Sequence, residues 1–194
     1  MKKLIVKITN PKNTNFTSIY AEGCIANNEE LSYFCSTVIM CNERMNCSIV
    51  SLNFSSIEID DIGMTHIVEV IKHMPKIHTI NISRCSIKDS CISILSRALT
   101  TNYTLRFLFL NFNHITHIGL EELFKMLKYT TIINTLDISG NPLYSNCVDI
   151  VKQFIKDKMT LKMVVISNTH ITRKEWDEIV DLYMSKRDIF YSVY

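Results

Sequence analysis

The sequence predicts an α/β solenoid, a right-handed βα horseshoe with parallel strands on its concave face and helices on its convex face. Three observations predict it: an apolar pattern that returns every 28 residues, a change of apolar period within each unit, and five consecutive copies without insertion.

The pattern starts at Ile49. Its first position is Ile49, Ile77, Leu105, Ile133 and Leu161, and its fourth is Leu52, Ile80, Leu108, Leu136 and Val164. The sixth is Phe54, Ile82, Leu110, Ile138 and Ile166, and the eleventh is Ile59, Ile87, Ile115, Leu143 and Ile171. Alternation between the fourth and sixth positions marks a strand with one buried face. Four further columns follow: Met64, Ile92, Leu120, Val148 and Trp176; then Ile67, Leu95, Leu123, Val151 and Ile179; then the columns headed by Val70 and Ile71. Their i, i+3, i+6, i+7 spacing is that of an amphipathic helix.

Position fifteen is small in four copies, Gly63, Cys91, Gly119 and Cys147, which suits close packing at the helix start; Glu175 departs from it. Asp60 and Asp61, Asp89 and Ser90, and Ser145 and Asn146 stand where capping residues accept from free helix amides. One strand–helix unit cannot bury both of its apolar faces, whereas stacked units share a continuous core. Strands stack about 4.8 Å apart and helices need about 8–10 Å, so the array curves with its strands inside.

One period upstream, Ala21, Cys24, Ala26, Glu29, Leu31, Cys35 and Ile39 fall in the same columns, giving a degenerate repeat over 21–48. Residues 1–20 then form an N-terminal strand, Leu4 to Ile8, and a capping segment. The array runs over 21–194, with five clear repeats over 49–188 and a terminal strand over 189–194. Ile189, Phe190, Tyr191, Val193 and Tyr194 make that last strand an apolar edge and a route to self-association.

The ninth position reads Ile57, Cys85, Asn113, Asn141 and Thr169, which completes LxxLxLxxN/CxL in phase. These residues resemble the leucine-rich-repeat family, and the 28-residue helical unit is similar to its ribonuclease-inhibitor-like subclass. The resemblance implies a non-enzymatic scaffold that binds a protein partner. With Asn only at 113 and 141, the side-chain ladder that ties adjacent turns is expected to be incomplete in the other three units. Some relatives regulate small GTPases or the cytoskeleton, for which Arg84, Arg106 and Arg173 are the candidate residues here. The Ile-, Asn-, Lys- and Met-rich composition suggests an AT-rich genome, which adds a pathogen or viral decoy of a host protein as an alternative.

The surface most informative about partners is the concave face, formed by positions two, three, five, seven and eight. Phe107 and Phe109, with Phe112 at the strand end, put three aromatics where neighbouring units carry Ser51, Thr79, Thr135, Asn53, Asn81 and Asp137. Met163 and Val165 return to apolar character, and Arg84, Arg106 and Lys162 supply a charged rim. Apolar anchors ringed by polar groups are the pattern of a binding hot spot. Packing across the sheet, or cover by the protein's own termini, explains the same residues in two other ways.

Other function classes lack their residues. The 21 basic and 19 acidic residues leave a net charge of +2 and no footprint for nucleic acid or an anionic membrane. No apolar run approaches the roughly 20 residues of a membrane span. Seven cysteines without a CxxC pair argue for reduced thiols and a cytoplasmic protein. Asn53 and Asn81, two of five glycosylation sequons, fall on the strand face, which agrees. The four glycines permit neither GxGxxG nor a P-loop, and His114 and His117 form an HxxH without a third ligand. No catalytic, metal or cofactor residue is therefore expected.

Overall fold

The computed structural model describes residues 17–45, 49–128, 132–157 and 161–185. Strands and helices alternate: β1 Thr17–Tyr20, α1 Asn28–Met45, β2 Ile49–Asn53, α2 Asp61–His73, β3 Thr79–Asn81, α3 Asp89–Leu99. They continue with β4 Phe107–Phe109, α4 His117–Leu127, β5 Thr135–Asp137, a 3-10 turn Ser145–Cys147, α5 Val148–Asp157, β6 Met163–Val165 and α6 Arg173–Ser185. The six strands pair in chain order into one parallel sheet. This is an α/β leucine-rich-repeat solenoid.

From β2 onward each sequence column becomes a row across the sheet, with Ser51, Thr79, Phe107, Thr135 and Met163 mutually opposed, and Leu52, Ile80, Leu108, Leu136 and Val164 beside them. The interior is built from those columns. Leu52, Ile80, Leu108 and Leu136 are fully buried. Val164, Ile171 and Trp176 of the last unit pack against the core only in part.

The first unit differs from its 28-residue expectation. β1 pairs Ser18 with Ser51 and Ile19 with Leu52, a separation of 33 residues. The same separation aligns Leu31, Phe34 and Val38 of α1, all buried, with Met64, Ile67 and Ile71 of α2. The extra length lies in the helix, since α1 has 18 residues and α2 has 13. The unit therefore starts upstream of residue 21, and Cys35 sits in mid-helix rather than beside Cys91 and Cys147 in column fifteen. Periodicity misplaced it because a longer helix shifts the phase without breaking its own apolar stripe. The expected strands at Leu4–Ile8 and 189–194, and self-association through the latter, lie outside the described residues.

Adjacent units are tied by polar contacts at two levels. In the core, the Asn113 amide accepts from the Cys85 and Ile87 amides and donates to the Ile82 and Leu110 carbonyls. Asn141 accepts from Ile115 and donates to Leu110 and Ile138. Cys85, in the same column, donates its thiol to the Phe54 and Ser83 carbonyls and so supplies only the donor half of the ladder. Burial pushes that thiol up to about 11, which keeps it protonated for this role.

At the helix starts the caps are more varied than expected. Asp60 caps α2, accepting from the Gly63 amide and from Asn28 of α1, and these bonds hold its carboxyl below the ordinary carboxylate value. Asp89 instead opens α3 and reaches across to accept from the Thr116 amide and hydroxyl, while Lys88 occupies the N-cap without a side-chain bond. Thr116 caps α4. Ser145 and Asn146 lie inside the 3-10 turn. Glu175 accepts from the Thr172 amide and hydroxyl, a capping box that accounts for its departure from the small-residue column. In two other units that column is held small by its neighbours, since a Cβ on Gly63 would lie 2.8 Å from Asn28 Oδ1, and one on Gly119 would lie 2.3 Å from Asp89 Oδ1.

Candidate functional site

Leu108 points into the core, so the flanking Phe107 and Phe109 of β4 emerge on the opposite, concave face. They stand about 6.5 Å apart along the strand. Phe107 is 37% exposed and Phe109 is half-buried. Two strands away, Met163 is 41% exposed and Val165 half-buried, so an apolar pair on β6 faces the aromatic pair on β4. Between them β5 presents Thr135, which is buried, and Asp137. The predicted patch is thus two apolar stripes with one polar strand in the cleft between them.

Asp137 has a structural task as well as a rim position: its Oδ1 accepts from the Ser139 amide and hydroxyl. Asn53 with Ser55, and Asn81 with Ser83, form the same turn. Those serines are buried, so position seven in these units belongs to the strand exit and not to the open face. An Asn/Asp-x-Ser repeat at the fifth position was present in three units and could have announced this local turn. It also accounts for the sequons at Asn53 and Asn81 as turn-forming pairs.

Position eight holds the geometry that no periodicity argument exposed. Gly23, Ser56, Arg84, Phe112, Gly140 and Asn168 all have φ between 53° and 64°, the left-handed region that a side chain makes costly. A bulky residue is uncommon there, so Phe112 is held by its surroundings. The Arg84 guanidinium lies over the Phe112 ring at 4.3 Å from its centroid. The ring also rests against Gly140, where an added Cβ would lie 2.4 Å from it. Arg84, Phe112 and Gly140 thus form a three-unit stack along the exit edge of the sheet. Tyr144 and His170 stack in parallel at 4.5 Å on later loops of that edge, a pair that sequence columns kept apart.

Arg106 is exposed immediately before Phe107, at the entry edge of β4, and Lys162 holds the same position before Met163. Of the eight predicted residues, five lie on the strands of one face and three at its two edges. Phe107, Phe109, Met163 and Val165 make its floor; Arg84 and Phe112 make one rim; Arg106 stands on the other; Asp137 lies at the centre. Among the described residues, no three His, Cys, Asp or Glu side chains converge as metal ligands, and no helix is long and apolar enough to cross a membrane.

No protein-family model matches the chain. Among solved structures, the fold is similar to leiomodin-1 actin-binding site 2, at 17% identity and a TM-score of 0.60 over 78% of this chain and 88% of that one. It is also similar to the C-terminal domain of Caenorhabditis elegans tropomodulin, at 15% identity and a TM-score of 0.65 over 78% of this chain and 92% of that one. At such identities the likeness is one of fold.

Proposed function

We propose that this chain is a non-enzymatic protein-interaction scaffold of the cytoplasm, a repeat array of the ribonuclease-inhibitor-like kind that holds a protein partner on its concave face. The observation that carries the reading is the pair of apolar stripes on β4 and β6, set on a face where β2, β3 and β5 carry Ser, Thr, Asn and Asp at the corresponding positions. Exposed apolar anchors within a polar surround yield most when a partner desolvates them. Affinity purification with the wild-type chain, compared with Phe107→Ser/Phe109→Ser, tests it. Loss of two anchor side chains is expected to weaken capture at least about a hundredfold. The unfolding midpoint should stay nearly unchanged. A large drop in that midpoint would instead assign both rings to packing across the sheet.

A cytoskeletal partner is a second reading, favoured by the likeness to a leiomodin-1 actin-binding site. Co-sedimentation with filamentous actin checks it: co-pelleting that the Phe107→Ser/Phe109→Ser variant abolishes would make actin the partner, and recovery of the chain in the supernatant would remove that reading.

A further inference from the structure

We infer that the segment received by the concave face is acidic: a stretch of partner polypeptide with carboxylates on both sides of an apolar anchor. This rests on the concave-face reading above and specifies its ligand. Over the first eight positions of the five regular units the chain places three Lys or Arg residues, Arg84, Arg106 and Lys162, and one carboxylate, Asp137. Those four residues give the strand side of the five regular units a net charge of +2, against which the first unit sets the single carboxylate of Glu22 at the exit of β1.

The cations are placed as a bracket. Arg106 and Lys162 stand at the entry edge of β4 and β6, Arg84 at the exit edge beside Phe112, and the apolar stripes run between. Among the described residues none of the three forms an ion pair with a carboxylate, whereas ion pairs do form on the helical side, Lys128 with Asp157 and Lys152 with Glu178. Asp137 offsets one of the three cations and forms no ion pair with any of them, its Oδ1 being held by the Ser139 amide and hydroxyl.

Arg84 is also pre-positioned. Stacking on Phe112 limits its side-chain freedom while leaving its planar donors free for a carboxylate, which lowers the ordering cost of a bidentate contact. Three cations around a central carboxylate suit a short acidic peptide better than a nucleic acid strand, whose affinity grows with the number of phosphates neutralised. Opposed charge at the rim then sets orientation and encounter rate, and the phenyl rings supply the contact.

Selection from a random 12-residue peptide display library on the full chain tests the inference. Enriched sequences should combine Asp or Glu with Phe, Leu or Trp. An Arg84→Glu/Arg106→Glu variant should bind those peptides about tenfold or more weakly and should select basic sequences in their place. Enrichment of neutral or basic peptides that still require Phe107 and Phe109 would overturn the acidic ligand and leave the concave-face reading standing. Peptides indifferent to Phe107→Ser/Phe109→Ser would overturn both, as would no enrichment. Binding of a labelled oligothymidine tighter than any selected peptide, and lost in the charge-reversed variant, would replace the peptide by a nucleic acid.

Discussion

Asn113→Ala is expected to destabilise the fold by about 4 kcal/mol, in the lower part of the range set by about one to three for each of three buried groups left without a partner. The amide at this position serves four backbone groups from two adjacent units and is itself buried. Truncation leaves the Cys85 and Ile87 amides and the Ile82 carbonyl facing an apolar interior that offers no water, while the Leu110 carbonyl keeps its second donor, Asn141. A loss of that size is a large fraction of the roughly 5–15 kcal/mol that holds a typical domain together. Asn113→Cys is the informative companion, because Cys85 already shows a thiol donating to two carbonyls in this column. It should lose less than alanine, since only the accepting half of the ladder disappears. Urea unfolding of both variants measures the order; equal losses would mean that the donor half contributes nothing.

Gly140→Ala is expected to cost about 3 kcal/mol through two separable causes. Its φ of 64° makes any Cβ unfavourable, by about 1–2 kcal/mol. The new methyl would also meet the Phe112 ring at 2.4 Å, and overpacking of this kind costs about 1–3 kcal/mol. A cycle with Phe112→Ala separates them: the packing part should vanish in the double variant while the backbone part stays. The same substitution displaces the ring on which Arg84 rests, so it disturbs one rim of the candidate site without touching the β4 or β6 side chains. Additive losses in the cycle would show that the ring moves aside freely and that the stack is loosely held.

How much of this was legible in the sequence varies with the range over which each feature is decided. Leu52, Ile80, Leu108 and Leu136 could be assigned to one interior stripe before any coordinates, because a strand that must bury every second residue and a helix that must bury one face leave little choice once they repeat. The Asn113 and Asn141 ladder, with its thiol substitute at Cys85, was likewise readable from a single column. The first unit was not: five additional residues in α1 change the register of β1 while preserving every local apolar spacing. Asp89 looked like a cap because capping residues are recognised by type, and only the placement of the next unit turned its carboxylate toward Thr116.

For the candidate site, chain order alone placed Phe107, Phe109, Met163 and Val165 on the concave face, since alternation about a core residue forces its neighbours outward. It also set the formal charge of that face. What only the tertiary structure decided was which of these groups meet: that Arg84 lies on Phe112, that Phe112 leans on Gly140, and that the carboxylate of Asp137 is committed to a turn. The reason is physical. A column fixes a residue's row and direction, but contacts between rows depend on backbone conformation at the strand exit, and there a left-handed residue in each unit re-aims its side chain along the edge of the sheet.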